Sequence, residues 1–266
     1  PPRGHIRSAF TWQGACEHDT FHQGHALFVK QFQRNLCNTV TMSSLATNTY
    51  LVMPLYNEAE VIGQVIRDTL KAFPNIICVD DGSTDDSGQE ALKAGATVLT
   101  HPINMGQGAA LQTGFSYFLR ETNGKYVVTF DADGQHQTSD ALAMVQYAEE
   151  NDKAIIFGSR FLGGNIEAGK IKQLVLKTAA FVTRIETGLK LTDAHNGLRA
   201  LRRDAVERIY LNQNRMAHAS EIVSKLAATK LPWAELPVHI RYTDYSRAKG
   251  QSLLNSINIV TDLLLH

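Results

Sequence analysis

The sequence predicts an α/β fold, in which a doubly wound and mostly parallel central sheet is flanked by helices. From residue 50 onward, short apolar runs alternate with segments of helical periodicity, and repeated strand–helix units build parallel sheets. Runs such as 126–130 are apolar at almost every position, which is typical of strands buried on both faces. A chain of 266 residues can bury a substantial core, as one large α/β domain or two small ones.

The first part of this region contains alternating strands and helices. The strands are predicted at residues 50–54, 76–79, 96–100, 126–130 and 154–158. The helices are predicted at residues 58–71, from the cap cluster 83–86 to Ala94, and at 108–119 and 140–150. The first helix has one apolar face, formed by Val61, Ile62, Val65, Ile66 and Leu70.

The second part is less regular. Residues 171–188 and 220–229 have helical patterns, while 198–201 and 238–242 are predicted as strands added to the same sheet. Residues 252–265 form an amphipathic helix pattern whose apolar face is most simply part of the core. Contact with a membrane surface is the alternative, although the Lys and Arg flank typical of such helices is missing.

Residues 1–49 show no sustained periodicity, so we expect a disordered or loosely attached arm ahead of a single domain over 50–266. His18, His22 and His25 have a spacing that suits a metal on a helix, but an incidental histidine-rich tail is the preferred interpretation. Because Met42 precedes the regular pattern, we expect residues 1–41 to be an upstream extension.

The formal net charge is zero, which argues against general nucleic-acid binding. The charges are unevenly distributed, because residues 50–152 hold 15 acidic and 5 basic side chains, and residues 153–266 hold 9 acidic and 17 basic ones. The acidic part suits a ligand carried by a metal, and the basic part suits phosphates or an acidic membrane surface. Chance charging of solvated helix faces is the alternative.

The three cysteines, Cys16, Cys37 and Cys78, have no metal-ligand spacing, and their odd number fits a reducing, cytosolic setting. No stretch approaches the roughly 18 to 20 apolar residues that span a bilayer, so we expect any membrane contact to be peripheral.

Two carboxylates, Asp131 and Asp133, directly follow the buried run 126–130. They are expected at the carboxyl edge of the sheet, where open α/β folds bind ligands. Mg²⁺ and Mn²⁺ use hard oxygen ligands of this kind and complete their shell with substrate phosphates and water. The pair therefore predicts a metal site beside a diphosphate, with an ordinary acidic turn as the alternative.

Polar groups also follow the first two strands, in the segments 54–58 and 80–83. In a parallel sheet these loops and residues 131–133 converge on one crevice. The five acidic side chains gathered there would repel one another without a cation or a set of donors; they are Glu58, Asp80, Asp81, Asp131 and Asp133.

Five motifs occur in order, at residues 53–58, 79–85, 104–108, 131–136 and 158–161. With them the chain resembles the family 2 glycosyltransferases of the nucleotide-diphospho-sugar transferase fold, GT-A type, and within them the dolichol-phosphate mannose synthase-like group of polyprenyl-phosphate glycosyltransferases. The similarity covers residues 50–203 well and the rest more weakly. Residues 104–108 lack the Gly-x-Gly-x-x-Gly pattern of a dinucleotide site, which disfavours a Rossmann dehydrogenase.

The resemblance implies roles for particular residues. It implies a nucleotide-sugar site over 50–160 that contains Pro54, Tyr56, Asn57, Glu58, Asp80, Asp81, Met105, Gly106 and Asp131. It implies Mg²⁺ or Mn²⁺ held by Asp131, Asp133 and Gln135, and it implies catalytic roles for Asp133, Arg160 and Asp193. It implies an acceptor-binding half over 161–266, and for the acceptor or diphosphate it implies Arg160, Arg199, Arg247 and Lys249.

The basic loop with Arg247 and Lys249 resembles the mobile loop that closes over the diphosphate, with an exposed linker as the alternative. Asn196 and Leu198 stand where the lipid-phosphate enzymes often have Ser and Phe, which weakens the match on the acceptor side.

The implied reaction is an inverting, metal-dependent transfer of a hexosyl group from a GDP- or UDP-linked sugar to a polyprenyl phosphate. A phosphate acceptor is already an anion at neutral pH and needs no base, whereas a hydroxyl acceptor would need one, with Asp193 or His195 as candidates. His195 is equally interpretable as an ordinary loop histidine.

We expect a cytoplasmic enzyme, peripheral at the inner membrane face, which does not bind nucleic acid and for which a homo-oligomer is left open. A transferase acting on a sugar hydroxyl, and a non-catalytic nucleotide-sugar-binding module, are the alternatives.

Overall fold

The computed structural model of the chain describes residues 43–162, 187–214 and 217–241. From Ser44 onward, these residues belong to the unit Ser44–His266. The described strands are β1 (Thr49–Leu55), β2 (Asn75–Asp80), β3 (Thr97–Thr100), β4 (Tyr126–Thr129), β5 (Ile155–Ser159), β6 (Arg199–Arg202) and β7 (Trp233–Pro237). The described helices are α1 (Ala59–Leu70), α2 (Ser87–Lys93), α3 (Gln107–Glu121), α4 (Thr138–Glu150), α5 (Arg203–Val206) and α6 (His218–Ala228).

The strands form one seven-stranded sheet in the order β3-β2-β1-β4-β6-β5-β7. The pairs β1–β2, β1–β4, β2–β3 and β5–β7 are parallel, so the sheet is mostly parallel, as predicted. Strand β6 is antiparallel to both of its neighbours. Because of this reversal, the first residue of β6, Arg199, lies opposite Thr129 at the carboxyl end of β4.

Alternation of strands and helices is confirmed from β1 to β5, and helix α6 and strand β6 lie close to their predicted positions. The strand predicted at residues 238–242 is wrong, because the observed strand β7 ends at Pro237. Strand β7 is an edge strand whose side chains are half-buried or exposed, so its sequence lacks a continuous apolar run. Beyond it, Ile240 makes an isolated antiparallel bridge to His136. Residues 1–42 of the predicted arm, most of the helix predicted at 171–188, and the helix at 252–265 lie outside the described residues. The prediction of a loose arm is wrong for residues 43–49, because 43–47 are helical, Leu45 and Ala46 are buried, and Thr49 begins β1.

Helix α3 packs directly on β1. A Cβ atom on Gly114 would lie 2.3 Å from Cγ1 of Val52, so only glycine permits this approach. Phe115 and Phe118 of α3 are buried in the main core cluster beneath the sheet. Burial of each such side chain stabilises the fold by roughly 1.5–3 kcal/mol. The close packing positions the start of α3 at the carboxyl edge of the sheet.

Helix α1 buries Ile62 and Ile66, whereas the other residues of its predicted apolar face, Val61, Val65 and Leu70, are half-buried. None of the helices within the described ranges combines the length and hydropathy that crossing a membrane requires.

Candidate active site

The loop after β1 is joined to the loop after β2 and to the start of α2 by hydrogen bonds from backbone amides to side-chain oxygens. The Asn57 amide donates to Ser83 Oγ at 3.0 Å, and the Thr84 amide donates to Asn57 Oδ1 at 2.9 Å. The Glu58 amide donates to Ser87 Oγ at 2.7 Å. Asn57 has φ of 52°, a left-handed conformation that Asn tolerates better than most residues. These bonds bring two predicted segments of the nucleotide site together.

Exposure differs among the side chains predicted to contact the nucleotide. Tyr56 is 43% exposed and Met105 is 41% exposed, so both side chains are open to a ligand. Pro54 is half-buried within β1. Asp80 is buried, and its Oδ1 accepts a hydrogen bond from the Ser83 amide at 3.0 Å.

Asp81 is held entirely by protein groups. Its Oδ1 accepts the Met105 amide at 2.9 Å, and its Oδ2 accepts the Gly106 amide at 2.6 Å. The buried His101 lies between this carboxylate and Thr113, with Nδ1 2.7 Å from Asp81 Oδ1 and Nε2 2.9 Å from Thr113 Oγ1. Asp81 is only 3% exposed, so its visible role in the structure is to order the loop that precedes α3.

That loop approaches the backbone at Gly82. A Cβ on Gly82 would lie 2.6 Å from the carbonyl carbon of Ile103, and its φ of +70° also favours glycine. The loop ends at Gln107, the first residue of α3, whose Nε2 donates to Asp131 Oδ1 at 3.3 Å. The loop thus connects the nucleotide side of the edge with the acidic pair after β4.

Asp131 is contacted from several elements. His136 Nε2 lies 2.9 Å from Asp131 Oδ2, and a Cβ on Gly197 would lie 2.5 Å from the same oxygen. Burial raises the pKa of Asp131. The charge and hydrogen bond of His136 lower it, as do the charges of Arg199 and His218, and these effects outweigh burial, so the pKa is lowered overall. Asp131 is therefore ionised at neutral pH.

Asp133 has the opposite electrostatic balance. Burial and then the negative charge of Asp131 raise its pKa to about 6, although the Gln135 amide donates to its Oδ1 at 3.0 Å. Glu58 raises the pKa of Asp133 further. The pair is therefore a site where negative charge is in excess, and a cation would relieve the repulsion.

The donor set fits Mg²⁺ or Mn²⁺ bound together with a diphosphate. Within residues 43–162, 187–214 and 217–241, no three His, Cys, Asp or Glu side chains form a group that could hold a metal. Mg²⁺ typically takes one or two carboxylates and fills the remaining positions with phosphates and water. The pair Asp131 and Asp133 meets that requirement, while the third predicted ligand, Gln135, makes its observed contact through its backbone amide.

On the other side of β4, Arg160 and Asp193 form a two-pronged ion pair. Arg160 Nε donates to Asp193 Oδ2 at 2.6 Å, Nη2 donates to Oδ1 at 2.8 Å, and the Arg160 amide donates to Oδ2 at 3.1 Å. Burial raises the pKa of Asp193, but these interactions outweigh it, so the pKa is lowered. A buried carboxylate paired in this way is a weak proton acceptor.

His195 is also a weak base. Burial, followed by the charge of Arg199, lowers the pKa of His195 to about 4, which leaves the ring neutral at pH 7. Its Nε2 lies 3.4 Å from Ser220 Oγ. A general base works best when its pKa is near the working pH, and neither candidate base for a hydroxyl acceptor meets this condition.

Arg199 is a buried cation between the acidic pair and Asp193. It is 3% exposed, and burial lowers its pKa to about 10 although Asp131 and Asp193 both raise it. Its Nη1 contacts the Gly197 carbonyl at 3.5 Å, and its Nε has no hydrogen-bond partner among the described residues. A buried donor left unpaired is costly and commonly marks a ligand position.

Several residues at this edge of the sheet were not predicted from the sequence to belong to the site. His101, Gln107, Gly197 and Glu235 received no predicted role, yet each contacts a predicted site residue or its loop. His136 was part of a motif but had no role assigned. His136 contacts Asp131, five residues away, but for the other four these contacts join positions 20 or more residues apart, so neither periodicity nor spacing reveals them. Arg247 and Lys249 lie outside the described residues.

A family model described as "Glycosyl transferase family 2" matches residues 50–210 of the chain. An uncharacterized protein of Methanocaldococcus jannaschii is 31% identical over 81% of this chain and 90% of that protein. The UDP-N-acetylglucosamine–dolichyl-phosphate N-acetylglucosaminyltransferase of Methanococcus voltae is 30% identical over 81% of this chain and 94% of that protein.

An undecaprenyl-phosphate 4-deoxy-4-formamido-L-arabinose transferase of Salmonella newport is 27% identical over 80% of this chain, which spans 65% of that protein's length. Among solved structures, glucosyl-3-phosphoglycerate synthase from Mycobacterium tuberculosis, in complex with Mn²⁺, UDP-glucose and phosphoglyceric acid, has a TM-score of 0.55 and 19% identity. That likeness covers 79% of this chain and 78% of the other, and at this identity it supports the fold alone.

Proposed function

The chain belongs to glycosyl transferase family 2 and is a glycosyltransferase, and we propose that it transfers a hexosyl group from a UDP-linked sugar to a polyprenyl phosphate. Two of the similar proteins are named for transfer to dolichyl phosphate and undecaprenyl phosphate. One of them is named for a UDP-sugar donor. These names support the donor and acceptor classes proposed here.

One observation carries the choice of acceptor: the carboxylate of Asp193 is tied to Arg160 by three hydrogen bonds. A sugar hydroxyl would need a base to remove its proton, and neither Asp193 nor His195 has a suitable pKa. A phosphate monoester has its second pKa near ~6 and is already a nucleophile at neutral pH. The proposed acceptor is therefore already an anionic nucleophile, and the site does not need to remove a proton from it.

On the donor side, Asp131 and Asp133 would hold Mg²⁺ or Mn²⁺, which when bound supplies neutralisation of the charge that develops on the departing nucleoside diphosphate. The loop that Asp81 orders would form one wall of the nucleotide pocket, because it displays Met105 and is followed by Gln107. Tyr56 would offer its exposed ring to the base.

On the acceptor side, Arg160 and Arg199 would attract and orient the acceptor phosphate. Asp193 holds the Arg160 guanidinium in place through two donors, and a planar guanidinium suits phosphate oxygens. Arg199 is fixed by its strand pairing with Thr129 and faces no competing hydrogen-bond partner at Nε among the described residues. Since the proposed acceptor is a lipid, we also propose that the enzyme works at a membrane surface.

The test is a transfer assay with sugar-labelled donors. The full chain would be incubated with UDP-glucose, UDP-N-acetylglucosamine or GDP-mannose, a polyprenyl phosphate in detergent, and Mn²⁺ or Mg²⁺. We expect label to enter the organic phase with a UDP-sugar and a metal, and to stay in water when the metal is chelated. Label that never enters the lipid with any donor, while the donor still binds, would reject the proposed acceptor.

A further inference from the structure

Glu235 lies on the edge strand β7, opposite Phe157 of β5 in the sheet register. Its carboxylate accepts the Thr192 amide at 2.9 Å through Oε1 and at 3.0 Å through Oε2. It also accepts the Asp193 amide at 3.0 Å through Oε1. One carboxylate therefore holds two consecutive backbone amides of the loop before β6.

The same loop is held from β5 as well. Thr192 Oγ1 lies 2.6 Å from Oγ of the fully buried Ser159. The next residue after Ser159 is Arg160, whose backbone amide and guanidinium both donate to Asp193. A continuous series of hydrogen bonds thus runs from Glu235 through the Thr192–Asp193 backbone to the Asp193 carboxylate, and from there to Arg160.

The arrangement uses both oxygens of a carboxylate. Burial raises the pKa of Glu235, although the two amides act in the opposite direction, so keeping an acid there has an energetic cost. A neutral side chain could close the edge of the sheet without that cost. A carboxylate, however, can share the Thr192 N–H between its two oxygens while Oε1 also accepts the Asp193 N–H.

We infer that Glu235 is a positioning residue that fixes Asp193 through the backbone and thereby aims the Arg160 guanidinium at the acceptor phosphate. Its identification as an acceptor-side residue rests on the proposed function. Glu235 does not touch the reacting groups, and its effect is transmitted through the Asp193 carboxylate.

The experiment compares Glu235→Ala and Glu235→Gln with Glu149→Gln as the matched control. Glu149 also accepts three hydrogen bonds, from Lys125 and Tyr126, but it is far along the chain from the Asp193 loop and bonds at the start of β4. For Glu235→Ala we expect the KM for polyprenyl phosphate to rise about tenfold, because small misplacements of a positioning group are costly, while the KM for the UDP-sugar changes less than about twofold. Glu235→Gln keeps one acceptor oxygen, so it should restore part of the loss.

A second readout does not depend on transfer. In ¹⁵N spectra of the full chain, the Arg160 Nε proton should exchange slowly with water in the unmodified protein and in Glu149→Gln, so that its resonance is observed. In Glu235→Ala the proton should exchange rapidly, and the resonance should disappear. If Glu235→Ala does not fold, Glu235→Gln is measured in its place, and a smaller loss of protection is expected.

Equal effects of the Glu149 and Glu235 variants on the acceptor KM, or equal rises in both KM values, would show a general structural role and overturn the inference. An unchanged Arg160 resonance in the Glu235 variants would overturn it whether or not transfer is observed. If the unmodified chain transfers no sugar, the proposed function fails, while loss of the Arg160 resonance would still support the positioning role.

Discussion

At the scale of single residues, the surroundings of Asp133 disfavour its ionised form relative to its neutral form. Burial and the charge of Asp131 raise its pKa to about 6, so at pH 7.5 the folded protein bears an ionised carboxylate in an unfavourable place. We expect Asp133→Asn to stabilise the metal-free protein at pH 7.5 by about 1–3 kcal/mol, since one pKa unit corresponds to about 1.4 kcal/mol. The same variant should lose the Mn²⁺-dependent rise in melting temperature that UDP produces.

Both effects are measured by thermal unfolding, with and without Mn²⁺ and UDP. Asp68→Asn is the control, because Asp68 is an exposed α1 residue whose side chain pairs with Lys71. It should change neither quantity appreciably. A metal-free Asp133→Asn protein that is less stable than the unmodified one, yet still responds to Mn²⁺ and UDP, would refute the proposed role of Asp133.

His195 makes stability depend on pH. Its pKa is about 4 in the folded protein and near 6.5 in an unfolded chain, so the unfolded state binds more protons between these values. Its contribution is therefore complete above pH 6.5 and is lost as the pH falls toward 4. We expect His195→Gln to reduce the loss of stability over that range by about 1–3 kcal/mol.

The measurement is urea unfolding at pH 4.5, 5.5, 6.5 and 7.5. His239→Gln serves as the control, since the side chain of His239 is 68% exposed. Parallel pH profiles for His195→Gln and the unmodified chain would mean that His195 is not held in a neutral form by burial.

At the scale of elements, the turn into β6 is fitted to the acidic pair. A Cβ on Gly197 would lie 2.5 Å from Asp131 Oδ2 and 3.1 Å from its Cγ. We expect Gly197→Ala to displace this carboxylate and to weaken Mn²⁺-dependent UDP binding about tenfold or more, as changes around metal ligands commonly do. Isothermal titration calorimetry with UDP and Mn²⁺ measures the loss.

Gly63→Ala in α1 is the matched control. A Cβ at Gly63 would meet only the flexible end of Arg67, at 3.3 Å, so the change should leave UDP binding intact and stabilise the helix by about 0.5–1 kcal/mol. UDP binding by Gly197→Ala that equals that of the control would show that Asp131 tolerates displacement.

The end of α3 depends on an arginine from α5. Arg203 donates to the carbonyl oxygens of Phe118, Leu119, Thr122 and Gly124, and its guanidinium lies 4.5 Å from the Phe118 ring centroid. We expect Arg203→Met to cost about 2–4 kcal/mol in the free energy of unfolding, because it removes one donor from each of several half-buried carbonyl oxygens. Urea unfolding tests this value, and a cost below about 0.5 kcal/mol would contradict it.

The elements differ in how far the sequence predicts them. Strands β1, β2 and β4 are buried on both faces, so their apolar runs are unambiguous. Strand β7 was predicted five residues too late, because an edge strand with half-buried side chains has no such run. The direction of β6 was not predictable, since only four residues carry the strand and its orientation is set by pairing with β4 and β5.

The same distinction applies to the site. Asp131 and Asp133 could be predicted because they directly follow a buried strand of a parallel sheet. In such sheets, ligands bind at the edge formed by the carboxyl ends of the strands. Glu235 could not be found, because its hydrogen bond to Thr192 joins positions 43 residues apart. Likewise, the ion pair of Asp193 with Arg160 joins positions 33 residues apart, and only the folded geometry contains that information.

At the scale of the whole molecule, the sheet brings an acidic part and a basic part of the chain to one edge. The acidic pair follows β4, and insertion of β6 between β4 and β5 places the buried cation Arg199 beside it. Arg160 follows β5 and is held by Asp193 at the same edge. We propose that the metal-bound donor occupies the acidic side and that the anionic acceptor occupies the cationic side.

In the proposed arrangement, the acceptor supplies its own negative charge, and the protein supplies cations instead of a base. The most direct measurement compares kcat/KM for a polyprenyl phosphate with that for the polyprenyl alcohol of the same length, using one UDP-sugar and Mn²⁺ at pH 7.5. We predict transfer to the phosphate, with a single phosphodiester in the ³¹P spectrum of the product, and no measurable transfer to the alcohol. Equal or faster transfer to the alcohol would contradict the account, because it would require a base that neither Asp193 nor His195 provides.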